Sequence, residues 1–277
     1  MNVATCLKSK PANGVRLADT PWRLSAHPSP MYGFPGYWLV TPAQADPTAP
    51  PLVAVHGILR DARGQARRFA NAAAAAGRTV IAPLFDPRDF PGYQQVIMRS
   101  RADIAMLDLM DYLRRTGIIH GRRFDLFGYS GGAQFAHRFA MLHPNWIGRL
   151  SIASAGWFTF PDQTPYPCGL GKPERPSRAW SPYVGAGLTD FLRLPIRVCV
   201  GELDNSPDEH TRSAPAIDRQ QGLDRLSRAR NWTAALIRKS AALGLSADIR
   251  LHELPGCGHD FGDCVEKGGL ADIVFRD

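Results

Sequence analysis

Short apolar runs alternate with longer stretches of helical period along most of this chain. Leu52–Val55, Thr79–Ala82, Phe124–Phe127, Arg149–Ala155, Ile196–Val200 and Ala247–Leu254 have the length and β-branched character of buried strands. Between them the pattern predicts helices over Gly64–Ala76, over Asp103–Arg115, over the residues that follow Gly131 and over Asp224–Gly244. Two earlier strands are expected near Trp22–His27 and Gly36–Thr41, and a short helix near Gly268–Phe275. Strand and helix in alternation predict an α/β fold: a mostly parallel central sheet with helices on both faces. No repeat or linker divides 1–277, which reads as a single domain. One stretch, at about 156–189, is rich in Pro, Gly and aromatics and has no period. An irregular insertion of that length is expected to act as a lid or binding loop.

The most specific signal lies inside this pattern. Phe124-Asp125-Leu126-Phe127 runs directly into Gly128-Tyr129-Ser130-Gly131-Gly132, and helix-forming residues follow. Gly-x-Ser-x-Gly alone also occurs in flexible loops. Between a strand and a helix it describes a sharp turn that presents the serine hydroxyl. Gly128 and Gly132 lack the Cβ atoms that would clash at such a crossing, and the Gly131 N–H opens a helix, where a developing anion is stabilised.

A serine hydroxyl needs a base, and the base needs an orienting acid. After a turn of this kind the acid and then the histidine follow along the chain. Asp204, beginning the loop after Ile196–Val200, is the preferred acid, with Glu202 and Asp208 as alternatives and a plain turn-forming aspartate as the structural one. Metal binding by Asp204, Asp208, Glu209 and His210 lacks a matching ligand set. His259 lies in the glycine-flanked loop Leu254–Phe261 after the last strand and is the preferred base; His252 sits within that strand as a structural residue. The first oxyanion donor is the Gly131 N–H, and the second is expected from the loop after His56-Gly57, at Ile58. His56 itself reads as structural, and His137 and His143 as packing or surface residues.

Composition narrows the picture further. Hydrophobic residues make up 44% and charged residues 21%, a globular balance, and no run is long enough to span a membrane. The five cysteines form no Cys-x-x-Cys and read as free thiols in a reducing compartment, so a cytoplasmic location is expected. The net charge of +8 is carried mainly by arginines, among them Arg63, Arg67, Arg68, Arg225, Arg228 and Arg230. Scattered through helices without an aromatic platform, they read as solvated faces, and no nucleic-acid partner is expected.

These motifs together resemble the α/β-hydrolase superfamily, and within it the esterase and polyhydroxybutyrate-depolymerase-like group. The resemblance spans about Pro51 to Phe275 and rests on Val53–Gly57, Asp125–Phe135, Ala155–Phe158, Gly201–Asp204 and Pro255–Asp260. It implies the α/β-hydrolase fold, a Ser130–Asp204–His259 triad, Ile58 and Gly131 as oxyanion donors, and no metal or other cofactor. The activity expected is that of a serine hydrolase cleaving a small or medium apolar or aromatic carboxylic ester through an acyl-enzyme. The same triad also serves amidases, thioesterases, lactonases and carbon–carbon bond hydrolases, and a non-catalytic ligand-binding protein is the remaining alternative. Tyr129, Trp157, Phe158 and Trp180 are the expected substrate-binding residues, because aromatic walls suit an apolar acyl or alcohol group. Sealing the insertion onto the sheet is the other role open to those in the insertion. The partner expected is a small-molecule ester.

Overall fold

The computed structural model describes residues 20–96, 100–172 and 181–276. Its strands are β1 (Trp22–His27), β2 (Gly36–Pro42), β3 (Leu52–Val55), β4 (Val80–Leu84), β5 (Phe124–Tyr129), β6 (Ile147–Ala153), β7 (Ile196–Gly201) and β8 (Ile249–Leu254). They form one eight-stranded sheet in the order β1-β2-β4-β3-β5-β6-β7-β8. The first two pairings, β1 with β2 and β2 with β4, are antiparallel; the rest are parallel. Successive residues of a strand serve opposite faces: Leu52 and Ala54 pack in one core, Val53 and Val55 in the other. Parallel strands with two covered faces must be apolar at nearly every position, which is why they appear as unbroken runs.

The helices are α1 (Ala62–Ala75), α2 (Ala102–Arg115), α3 (Gly131–Leu142), α4 (Ser181–Ala186), α5 (Leu188–Leu192), α6 (Pro215–Gln221), α7 (Arg225–Ala242), α8 (Phe261–Glu266) and α9 (Leu270–Arg276). On one face α1 and α9 contribute Phe69, Ala70, Leu270 and Val274; on the other α2, α3 and α7 contribute Leu109, Phe135, Phe139 and Trp232. The parallel strands point the same way, so the loops after β3, β5, β7 and β8 emerge along one carboxyl edge.

The first residues of the insertion pack into the body of the fold. Residues 156–161 are buried without a break and are pinned by hydrogen bonds from three helices. His137 of α3 donates from Nδ1 to the Ala133 carbonyl (2.8 Å), leaving Nε2 to accept from the Thr159 N–H (3.0 Å). Burial pushes this imidazole well below its ordinary pKa, which keeps it neutral and able to accept. Gln221 of α6 both accepts from the Phe158 N–H and donates to its carbonyl. Arg138, fully buried, donates to Thr159 Oγ1 and to the Gln94 carbonyl and lies 4.1 Å from the centre of the Trp157 ring. Residues 156–161 are therefore a wall, while α4 and the first two residues of α5 lie at the far end of the 156–189 stretch.

Trp232 of α7 closes that wall from behind. Its ring stacks on Phe158 with centroids 4.6 Å apart, and its indole N–H donates to the Thr159 carbonyl (2.9 Å). Trp232→Ala is expected to destabilise the fold by about 3–5 kcal/mol, since it empties a fully buried site and strands that carbonyl. Urea unfolding of the variant against the parent protein measures it.

Candidate active site

Strand β5 delivers Ser130 in a backbone conformation rarely used by side-chain-bearing residues, φ 52° and ψ −113°. The turn is compressed on both sides. A Cβ at Gly128 would lie 2.2 Å from the Gly132 carbonyl oxygen, and one at Gly132 would lie 2.0 Å from that of Val55. Only glycine fits at either position. The Ser130 N–H is held by the Ala153 carbonyl of β6 (2.8 Å), so the strained residue is tied to the sheet while its hydroxyl faces outward.

Gly131 opens α3, and the first N–H groups of a helix have no partner within it. Its α-carbon lies against Ile58: a Cβ there would be 3.3 Å from the Ile58 nitrogen. The Ile58 nitrogen thus lies close to the residue that follows Ser130. Outside any strand or helix, the Ile58 N–H donates to no acceptor among the described residues.

His56 shapes this loop from beneath. Its Nε2 accepts from the Phe85 N–H (3.1 Å), which leaves the proton on Nδ1 to donate to the Gly57 carbonyl (2.9 Å). Burial lowers its pKa to about 4, so the ring stays neutral and both bonds hold at physiological pH. Tyr93 donates its hydroxyl to the His56 carbonyl (2.6 Å), and Arg60 donates to the carbonyls of Phe85 and Phe90. His56 is structural, as its position at the end of a strand suggested.

The loops after β7 and β8 are fastened to each other. Leu203 N–H donates to the Cys257 carbonyl (2.8 Å), Glu202 N–H to the Leu254 carbonyl, and the Glu202 carboxylate accepts from the Gly256 N–H. That arrangement carries His259 over the sheet edge. Its Nε2 lies 3.2 Å from Ser130 Oγ and its Nδ1 lies 2.8 Å from Asp204 Oδ2. The Tyr129 ring stacks beneath the imidazole, with centroids 5.3 Å apart. Of the three carboxylates weighed for the β7 loop, only Asp204 reaches His259; Glu202 serves the β8 loop, and Asp208 faces elsewhere.

Arg225, at the start of α7, was read from sequence as part of a solvated helix face, and so was Arg228; the structure corrects both. Arg225 is 1% exposed and Arg228 fully buried. Arg228 donates to the Gly156 carbonyl and to Asp218. The Arg225 guanidinium sits between Asp204 and Asp208. Arg63, Arg67, Arg68 and Arg230 are exposed, as expected.

A cavity of about 270 Å³ opens beside Ser130 and His259, with Ile58, Leu59, Tyr129 and Phe261 as its apolar wall and Arg68, Asp260 and His210 among its polar groups. Of the expected substrate-binding aromatics, Tyr129 lines this cavity. Trp157 and Phe158 do not: they are 5% and 1% exposed and spend their rings on Arg138, Arg212 and Trp232. Trp180 lies outside the described residues.

Among solved structures, this chain is similar to poly(aspartic acid) hydrolase-1 from Sphingomonas sp. KT-1, with a TM-score of 0.75, 22% identity, and coverage of 92% of this chain and 98% of the other. It is similar also to a poly(3-hydroxybutyrate) depolymerase from Bordetella parapertussis (TM-score 0.72, 25% identity, 87% and 85% covered). An S-formylglutathione hydrolase from Agrobacterium tumefaciens aligns at a TM-score of 0.60 with 17% identity, over 90% and 91% of the two chains. No family model and no curated protein matches the sequence.

Proposed function

We propose that this chain, which has the α/β-hydrolase fold of the esterase and polyhydroxybutyrate-depolymerase-like group, is a serine hydrolase that cleaves a small carboxylic ester through an acyl-enzyme. The observation that carries the reading is the unbroken chain Ser130 Oγ–His259 Nε2–His259 Nδ1–Asp204 Oδ2, at 3.2 and 2.8 Å. His259 takes the Ser130 proton as Oγ attacks the ester carbonyl, while Asp204 holds the ring with its proton on Nδ1 and stabilises the imidazolium. The carbonyl oxygen, now negatively charged, is stabilised by the Ile58 and Gly131 N–H groups. Collapse breaks the carbon–oxygen bond, and His259 returns the proton to the departing alcohol. Water, deprotonated by the same imidazole, then releases the acid and regenerates the serine.

The Ile58, Leu59 and Phe261 wall favours an apolar acyl or alcohol group, and the cavity's modest size favours a short one. No helix among the described residues is long and apolar enough to cross a membrane. The four described cysteines stand as free thiols, which supports a cytoplasmic setting.

Stoichiometric labelling by a fluorophosphonate probe, with the added mass on the Ser130 peptide, is the expected result. A panel of p-nitrophenyl esters, anilides and thioesters is expected to give turnover on the short-chain esters first. Turnover confined to anilides or thioesters would replace the ester reading, and failure to label would remove the hydrolase reading altogether.

A further inference from the structure

This inference rests on the serine-hydrolase reading above. We propose that Arg225, balanced by Asp208, is a positioning residue that fixes Asp204 and sets the acid limb of the enzyme's pH profile. Asp204 uses one carboxylate oxygen for His259, and Arg225 Nη1 takes the other at 3.1 Å. The same guanidinium grips Asp208 with two hydrogen bonds, at 2.8 and 2.9 Å. Both ends of this bridge are anchored. Arg225 is the first residue of α7, just after the Asp224 capping box, and the adjoining Leu226 N–H donates to the Asp204 carbonyl (3.1 Å). Asp208 accepts from Thr211 Oγ1 and from the His210 N–H. With both oxygens engaged, the Asp204 carboxylate cannot rotate away from the imidazole.

The bridge also sets charge. Asp204 alone would stabilise the imidazolium strongly and keep the base protonated to a higher pH. A guanidinium on its far oxygen subtracts from that effect, and Asp208 restores part of it. Arg225 holds the Asp208 carboxyl well below the usual carboxylate range, so this second charge is present throughout the working pH. The other groups near the imidazole are Tyr129 beneath it, Asp260, Cys257 and Cys264 on the β8–α8 side, Arg228 behind Arg225, and His210, Arg60, Asp61 and Arg68 around the cavity. Burial raises the Tyr129 and Cys264 pKa values, so both are uncharged at neutral pH.

The test is the pH dependence of kcat and kcat/KM for the parent enzyme and for Arg225→Met, Arg225→Lys and Asp208→Asn, on the best ester of the panel, with melting temperatures recorded alongside. Arg225→Met is expected to move the acid limb up by about half a unit to one unit, and Asp208→Asn to move it down by a similar amount. Arg225→Lys, which keeps the charge and loses the fork, is expected to leave the limb in place while kcat falls by about tenfold or more. The Asp208 side chain is partly exposed (39%), so its variant remains informative should Arg225→Met fold poorly. Limbs that stay put in Arg225→Met and Asp208→Asn, or move in the same direction, would overturn the proposal. A parent enzyme that ignores the fluorophosphonate would instead overturn the hydrolase reading.

Discussion

Replacing Ser130 with alanine is expected to lower ester turnover by about 10⁴- to 10⁶-fold, with the melting temperature nearly unchanged. The two halves of that result have separate causes. Activity falls because, among the described residues, Oγ is the hydroxyl that His259 Nε2 reaches, at 3.2 Å. Stability holds because the backbone at φ 52° is fixed by the Ala153 carbonyl and by the crowding around Gly128 and Gly132, none of which involves the hydroxyl. The rate that survives reports what the two amides and the cavity achieve alone. Steady-state kinetics with active-site titration is the measurement. A loss smaller than about a hundredfold would place the nucleophile elsewhere, while a large drop in melting temperature would mean that Oγ carries structure as well as chemistry.

The parts of this site that could be read from sequence are those whose signal is local. Strand β5, the Gly-x-Ser-x-Gly turn and α3 are contiguous, and the clashes that demand glycine at 128 and 132 involve the turn and the neighbouring β3. Leu52–Val55 is found as predicted because burial on both faces leaves no polar position to blur its ends. His259 was accessible through chain order and its glycine-flanked loop. Arg225 was not. A helical arginine beside polar neighbours looks solvated until the β7 loop brings Asp204 and Asp208 to it, and no residue spacing encodes that meeting. The one usable sign was Asp224-Arg225 at a helix start, downstream of two unassigned carboxylates. Trp157 and Phe158 misled for a related reason. Aromatics in an aperiodic stretch look available to a ligand, whereas here a buried arginine from α3 and a tryptophan from α7 occupy their faces. The helices α6 and α8 are too short for a period to accumulate.

Asp204→Asn is expected to cost about 10⁴-fold in kcat, and the bridge to Arg225 dictates why. An asparagine has one acceptor oxygen where the carboxylate has two. Arg225 Nη1 can only donate, so it draws the amide oxygen to its own side and turns the NH₂ group toward His259 Nδ1. That face of the imidazole must then accept, which moves its proton to Nε2, the nitrogen that has to receive the proton of Ser130. The base is present but holds its proton on the wrong nitrogen. Two further variants separate this cause from simple misfolding. In Asp204→Asn/Arg225→Met the amide is free to rotate and offer its oxygen to Nδ1, so part of the lost rate is expected to return even though a second residue has been removed. Glu202→Gln, whose side chain accepts from the Gly256 N–H and does not touch His259, is expected to change turnover little. Initial rates for the three variants, each checked for an intact thermal transition, provide the comparison. Equal losses in the single and double variants would show that Arg225 does not choose the tautomer, and near-normal turnover in Asp204→Asn would remove Asp204 from the reaction.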